Sequence, residues 1–395
     1  MSGSSHFDVL VSGAGMVGAT LGLALALDGL QVALAESRSQ EQCHAKDPHE
    51  RCSLINTGAS QFLASLGIPV SGLGTPVERM RVWDAEHAGS IQLDAADADV
   101  QHLGYIIENR QLEQALHQKL QEMGVPLFYS TRLEHQHAGP HSRVLMDSRG
   151  AFYRTTLLAI AEGRQSRLRR TLLQASVFGE DYRQEAITAT ISTERPHGGT
   201  AYQRFLPSGP LALLPFTDGV DGEPRTSMVW SAQKPLAKKL MALENPAFLE
   251  HLQQAFGPQL GRLSQTGVRS SHPLSAMHVN RYVDNRVVLL GDSAHGVHPL
   301  AGLGVNLGFR DAAALRQIIS DARSTHQDWG NLNILETYQR QRRPDNLITV
   351  FACGALNHLF SNRSRTLAGL RDLGMLGTAM TPRLRRFFIQ QAIVL

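Results

Sequence analysis

Apolar and polar positions follow several different rhythms along this chain. Near the N-terminus, Phe7-Asp8-Val9-Leu10-Val11 is an apolar run of strand length. It is followed by the glycine turn Gly13-Ala14-Gly15-Met16-Val17-Gly18 and by a segment from about Val17 to Asp28 that predicts a helix. Gln31-Val32-Ala33-Leu34-Ala35 predicts a second strand, ending at Glu36. Strand, glycine turn, helix and strand closing in an acid is the order of a Rossmann half. Leu112, Leu116 and Leu120 fall four apart within Asn109 to Met123, one stripe of an amphipathic helix. Met80 to Leu93 alternates like a pair of strands.

From about Arg183 to Pro273 the rhythm shortens. Ala186 to Ser192, Leu211 to Phe216 and Ser227 to Ser231 read as short strands between Gly/Pro turns, with one helix near Pro246 to Phe256. Then Val287-Val288-Leu289-Leu290 predicts a buried strand, a Gly/Pro-rich loop runs from Gly291 to Asn306, and Leu307 to Ile319 has helical periodicity. The chain from roughly Leu335 onward reads as helical, and no internal repeat interrupts it.

The two glycine loops carry the chemistry. Gly13 allows the tight turn after the strand, Gly15 lets backbone approach a pyrophosphate, and Gly18 lets helix and strand pack closely. The helix start offers N–H groups and a positive dipole end to phosphates. Glu36 is placed to accept hydrogen bonds from ribose hydroxyls. A strand–helix turn without a ligand is the alternative, which the full order of strand, turn, helix, strand and acid disfavours. In the second loop, Asp292 ends a strand beside a segment able to pass close to a ligand. Its carboxylate suits ribityl or ribose hydroxyls, Pro299 would stiffen the loop, and Gly302 and Gly304 would point N–H groups at a flavin's N1/C2 carbonyl edge. Alone, Asp292 reads equally well as a helix cap. Two such sites, one at each end of the chain, suggest a long cofactor held at both ends, for which FAD is the natural candidate.

The expected architecture is an α/β protein. A discontinuous Rossmann-like FAD-binding domain takes residues 1–75, 100–182 and 274–345. An antiparallel β-sheet substrate domain, 76–99 and 183–273, is inserted into it, and 346–395 form a C-terminal helical region.

Composition narrows the function classes. The chain has 395 residues with 42% hydrophobic and 18% charged positions, ordinary for a globular protein with a large core. A formal charge of +3 is too small to argue for nucleic acid as a partner. Cys43, Cys52 and Cys353 are odd in number and lack metal-ligand spacing, so no disulfide framework or zinc site is expected and a reducing cytoplasm fits. The stretch Met1 to His6 has no secretory pattern, and no apolar run is long enough to span a bilayer.

Other residues leave alternatives open. His295 and His298 lie three apart in a loop with no third ligand beside them, which favours packing or hydrogen bonding over metal, and no metal is expected. Arg51 precedes the apolar run Leu54 to Leu66; it reads either as reaching a flavin phosphate or the active site, or as the solvated start of a helix. The last 35 residues carry Arg363, Arg365, Arg371, Arg383, Arg385 and Arg386 against Asp372 alone. That basic, apolar-interleaved tail suits a membrane surface or a protein contact, or a solvated helical face.

Taken together, these residues resemble the class A flavoprotein monooxygenases. The Gly13–Gly18 turn, Glu36, Arg51-Cys-Ser-Leu-Ile-Asn56, Leu103-Gly-Tyr-Ile-Ile-Glu-Asn109 and the Gly291–Asn306 block are similar to those of the ubiquinone-biosynthesis aromatic hydroxylases. Tyr338-Gln-Arg-Gln-Arg-Arg-Pro-Asp-Asn346 and Leu359-Phe-Ser361 resemble that subfamily too. The resemblance implies FAD, NAD(P)H as co-substrate, and oxygen activated as a C4a-hydroperoxyflavin. The substrate would be a polyprenylphenol whose ring is hydroxylated. It also implies cofactor contacts from Arg51, Glu162, Gly163, Gly291, Asp292, Leu303 and Asn306. The family's middle motif, Ala-Asp-Gly-x-x-Ser, here reads Ala161-Glu162-Gly163-Arg164-Gln165-Ser166, and Leu303 stands where the family commonly has Gln. Both departures bear on coenzyme handling. The expected setting is the cytoplasm, peripheral on the inner membrane or in a ubiquinone-biosynthesis complex. A hydroxylase of another phenolic metabolite and a weakly active flavin-binding subunit are the alternatives.

Overall fold

The structure is a computed structural model that describes residues 5–45, 51–84, 90–219, 221–297 and 303–360. Three sheets organise it. The first has eight strands, with Ser5–Ser12 at its centre between Phe152–Ile160 and Val32–Ala35, all three parallel. Val287–Leu289 extends it in parallel beside Phe152–Ile160, and Leu127–Phe128 closes the other edge. Val9, Leu10, Val11, Leu157, Leu158 and Val287 are all buried, as a parallel sheet covered on both faces requires. The helix Met16–Leu27 packs on this sheet, flanked by Asn109–Glu122 and Leu303–Ser324.

The second sheet has nine strands and is mostly antiparallel. Its two faces have different work, set by the period-2 alternation of each strand. One face sends Ile187, Ile191, Leu211, Leu213, Met228 and Trp230 into a core with the helix Asn245–Phe256. That helix starts with Pro246 in its first turn and buries Phe248, Leu252 and Phe256, four residues apart. Each contributes roughly 2 kcal/mol by leaving water. The other face carries Ala186, Ala201, Ala212, Val229, Ser231 and His272 and looks into a cavity. A third sheet, Cys52–Asn56, Gly104–Glu108 and Gly74–Val77, adds Cys52, Ser53, Leu54 and Ile106 to the wall of the same cavity.

Most expected elements stand within a few residues of their sequence limits, but several differ. The strand expected from Ala186 runs from Val177 to Thr193. Its first half is exposed and charged, so it carries no alternation; a register shift between Asp181 and Gln184, with Arg183 at φ 54°, separates it from the regular half. The nine-stranded sheet thereby includes residues 177–182, and Ser270–Val279 carries it across position 274. A second helix, Lys234–Ala242, precedes the expected one. The apolar run Leu54 to Leu66 is not one helix: Cys52–Asn56 is a strand, and the helix Thr57–Ser65 begins after Asn56, whose side chain caps it. Among the described residues no helix is long and apolar enough to cross a membrane. The basic tail from 361 onward lies outside the described residues.

Candidate active site

The first glycine turn is fixed by close approaches. Gly13 has φ +99°, and a Cβ there would lie 2.4 Å from the Ala161 carbonyl oxygen. A Cβ on Gly18 would lie 2.0 Å from the Gly13 carbonyl oxygen, so helix and strand touch through backbone. Gly15 differs: a Cβ there meets no atom within 4 Å, and the residue lines the cavity. It is the N-cap of Met16–Leu27, provides no side-chain cap, and is followed by a first turn without acids. The first N–H groups of that helix therefore have no intrahelical or capping partner, an arrangement suited to an anion.

Glu36 ends the second strand, as expected, and is buried. One carboxylate oxygen accepts the Ala14 N–H at 3.1 Å, and both are bonded by the Arg38 guanidinium, which also pairs with Glu113. Burial opposes the charge, but the Arg38 bonds outweigh it and hold the carboxyl below its ordinary range. Glu36 is thus tied by its own carboxylate to the glycine turn, and it is not among the residues lining the cavity described below. His117 supports the same turn, with Nε2 2.6 Å from the Ala14 carbonyl oxygen.

The middle motif and the second glycine loop meet at Arg164. Gly291–Ser293 forms one 3-10 turn, with Gly291 at φ +53°. The Asp292 carboxylate accepts from Arg164 Nε at 3.1 Å. Arg164 also donates to the Ser275 carbonyl at 2.6 Å and the Val297 carbonyl at 3.2 Å. A Cβ on Gly296 would lie 2.9 Å from this guanidinium, so the glycine makes room for it. Arg169, buried, donates to the carbonyls of Ser293 and Arg164. Glu162 is half-buried. Its carboxylate accepts from Ser12 Oγ and Ser166 Oγ, each at 2.7 Å, and from the N–H groups of Arg167 and Leu168. Gly163 lines the cavity, at φ +79° with open space where a Cβ would be.

Beneath the second loop lies a buried charged cluster that the sequence reading missed. Asp311, fully buried, accepts the Gly291 N–H at 3.0 Å, His295 Nε2 at 2.6 Å, Arg342 Nε at 2.9 Å and Asn346 Nδ2 at 3.1 Å. Burial alone would raise its pKa; His295 and Arg342 prevail and bring it down to about 2. Tyr338 donates to the Leu289 carbonyl at 3.0 Å and Gln339 accepts the Tyr282 N–H. The Tyr338–Asn346 motif is thus a clamp on the strand and turn that present Asp292. Asn306 is also committed: it accepts the Asn56 N–H at 3.0 Å and donates to the Leu54 carbonyl at 2.7 Å, pinning Cys52–Asn56 to the helix Leu303–Ser324.

One cavity of about 450 Å³ joins these parts. Gly15, Arg51, Asn109, Gly163, Asp292 and Gly304 line one portion, and the small-residue face of the nine-stranded sheet lines the other. Arg51 precedes the strand Cys52–Asn56 and not a helix, and it lines the cavity. Gly304, in the first turn of Leu303–Ser324, has only Val297 Cγ2 within 4 Å of a Cβ, at 3.7 Å. Pro299, Gly302 and His298 lie outside the described residues, as does the side chain of Leu303. The residues present fit FAD. Gly15, Gly163 and Gly304 are glycines whose missing side chains open into the same cavity, and an uncapped helix start adjoins it.

The FAD binding domain family matches the chain over residues 6–347. Ubiquinone hydroxylase UbiL of Rhodospirillum rubrum is 35% identical over 394 residues, covering 98% of this chain and 89% of that protein. The 3-demethoxyubiquinol 3-hydroxylase of Escherichia coli is 30% identical, with 98% of each covered. The ubiquinone biosynthesis monooxygenase COQ6 of Xenopus tropicalis is 32% identical over 96% of this chain and 92% of that one. Among solved structures, PqsL from Pseudomonas aeruginosa, a probable FAD-dependent monooxygenase, superposes with a TM-score of 0.78 at 23% identity, covering 95% and 100%. Klebsiella pneumoniae HpxO, solved with FAD and uric acid, gives 0.76 at 16% identity over 98% and 96%. The two structures share the fold with this chain.

Proposed function

From the premise that this chain belongs to the FAD binding domain family, among the ubiquinone-biosynthesis FAD monooxygenases, we propose that it hydroxylates the aromatic ring of a polyprenylated phenol. NAD(P)H is the proposed reductant and molecular oxygen the oxidant. The observation that carries the reading is the single cavity joining the glycine cradle to the small-residue face of the antiparallel sheet.

FAD, when bound, supplies the electron storage and oxygen activation that no side chain provides. The chain's own residues hold and orient. Gly15 and the start of Met16–Leu27 suit the pyrophosphate, with Arg51 as a cation lining the same space. Asp292, held by Arg164, suits the ribityl hydroxyls. The opening N–H groups of Leu303–Ser324, Gly304 among them, suit the ring edge that becomes negative on reduction. Ala186, Ala201 and Ala212 leave space for a flat ring, while Met80, Leu214 and Val229 exclude water from it.

The substrate is a lipid, and a membrane surface is the proposed place to collect it. The last described helix, Leu332–Phe360, exposes Ile348, Phe351 and Leu356 and leads into the arginine-rich tail. Apolar and basic groups together suit an anionic bilayer surface.

The test is reduction followed by turnover. Purified protein loaded with FAD is mixed anaerobically with NADPH and then NADH, and is next given oxygen with polyprenylphenols. Bleaching by one coenzyme and a product heavier by one oxygen atom are expected. A protein that holds no flavin, or holds it and hydroxylates no polyprenylphenol, sinks the proposal.

A further inference from the structure

We propose that His117 is a positioning residue for the cofactor: by holding the Ala14 carbonyl it locks the Ala14–Gly15 peptide with the N–H turned toward the pyrophosphate. The inference deepens the proposed function and rests on its FAD reading. His117 lies on the helix Asn109–Glu122, is buried, and is not among the cavity-lining residues. It reaches the glycine turn through one bond, from Nε2 to the Ala14 carbonyl oxygen at 2.6 Å.

The proton on that bond can be placed. A carbonyl oxygen only accepts, so Nε2 carries the hydrogen. The other ring nitrogen, Nδ1, is 3.1 Å from the Tyr129 hydroxyl oxygen and in the neutral ring accepts from it. The Tyr129 oxygen is in turn 3.4 Å from Nε2 of His44, an exposed residue. Tyr129 thereby selects the tautomer of His117 that donates to Ala14. Burial lowers the pKa of His117, which keeps the ring neutral at neutral pH. The carboxylates that act on it, Glu113 and Glu36, are both paired with Arg38.

The turn needs such a lock. In a planar trans peptide the C=O and the following N–H point in opposite directions. With the Ala14 carbonyl on His117, the Gly15 N–H points away from His117, and Gly15 is on the cavity wall. Among the described residues no protein group accepts that N–H. Glycine tolerates either sign of φ, so this peptide plane can turn over with only local change. Turned over, it would withdraw a donor from the phosphates and offer them a carbonyl oxygen, the end of the dipole that repels an anion. The N–H of Ala14 is already taken by Glu36 at 3.1 Å. Glu36 and His117 thus hold the two peptide planes that meet at Ala14, one through a donor and one through an acceptor.

The experiment titrates flavin-stripped, full-length protein with FAD and follows the quenching of flavin fluorescence. His117→Phe fills the space of the ring without a donor, and its dissociation constant for FAD should rise about tenfold or more. His117→Gln can place an amide N–H where Nε2 stands and should stay within about threefold of the wild type. Tyr129→Phe, which frees the tautomer, should fall between the two. Equal affinity in His117→Phe and the wild type overturns the proposal, and so does equal weakening in His117→Phe and His117→Gln. If His117→Phe does not fold, Tyr129→Phe decides, and an affinity unchanged from the wild type overturns the lock. Phosphorus NMR of bound FAD gives a second readout. The pyrophosphate resonances should move in the two Phe variants and stay in place in His117→Gln. Resonances unmoved in every variant overturn the proposal and leave a histidine that serves stability alone. A wild type that holds no FAD sinks the FAD reading and the lock with it. One that holds FAD and hydroxylates no polyprenylphenol sinks the proposed function and leaves the lock standing. Hydroxylation with unchanged FAD affinity in every variant does the reverse.

Discussion

Arg342 Nε lies 2.9 Å from Asp311 Oδ1, joining the last described helix to the helix that follows the second glycine loop. Both side chains are buried, and the other Asp311 oxygen holds Gly291 and His295. One carboxylate thereby fixes the turn that presents Asp292.

Breaking that pair should therefore cost both stability and cofactor. Arg342→Leu leaves a buried carboxylate short of a cation, and about 3–5 kcal/mol of stability should be lost. Urea unfolding of the FAD-loaded protein measures it. The same variant should retain less flavin, because Gly291 and Asp292 lose their anchor; unchanged flavin content would show that Asp311 does not position the loop.

Acid should loosen the protein in two stages. Burial lowers His278 from 6.5 to about 4, so the folded state prefers it neutral. Between those values the unfolded chain binds more protons, and stability falls as pH drops from 6.5 toward 4. Asp311, despite its burial, is lowered from 3.8 to about 2 by His295 and Arg342. Its contribution is full above 3.8 and lost as pH falls toward 2. Replacing His278 with Gln should flatten the first stage in a pH series of unfolding curves and leave the second.

Two neighbouring glycines should fail differently. A Cβ at Gly15 enters open cavity, whereas one at Gly18 strikes the Gly13 carbonyl. Gly15→Ala should keep its circular dichroism and bind FAD at least about tenfold more weakly, roughly 1.4 kcal/mol. Gly18→Ala should instead lose about 1–3 kcal/mol of stability before any flavin is added. Equal flavin affinity in Gly15→Ala and the wild type would move the pyrophosphate elsewhere.

Glu162→Asp, which restores the family's residue, should not be benign in this chain. The shorter side chain draws back from Ser12 and Ser166, hydroxyls that donate to it from opposite sides. Losing one such bond to a carboxylate costs about 1.5–3 kcal/mol. A thermal melt checks this, and a melting temperature at or above the wild type's would show that the turn closes on Asp equally well.

What could be read from the sequence was local. The Gly13–Gly18 turn, the place of Glu36 and the strand before Asp292 depend on residues close in the chain, and each appears where periodicity puts it. What escaped depends on distant partners. Arg164 meets Asp292 and Ser275 across more than a hundred positions, and nothing in its own turn announces either. Asp311 left one sign: it lies four residues from Leu307 and four from Leu315, a charge on a buried helical stripe. His117 is one position of an amphipathic helix and becomes distinctive only when the fold brings it to the Ala14 carbonyl.

The strand Val287–Leu289 enters the sheet beside Phe152–Ile160, and its turn is secured from Arg342 and Asn346. During synthesis, the first glycine turn emerges early and gains its Ala161 contact midway, yet the pocket it serves is incomplete until the chain has passed residue 346. Cofactor capture is then a late event, after most of the polypeptide has emerged. Ribosome-bound chains ending before the Tyr338–Asn346 motif should leave FAD in solution, and slightly longer ones should begin to retain it. A stop between Ala161 and Tyr338 would yield a chain that has the whole nucleotide turn and its Ala161 contact but retains no flavin.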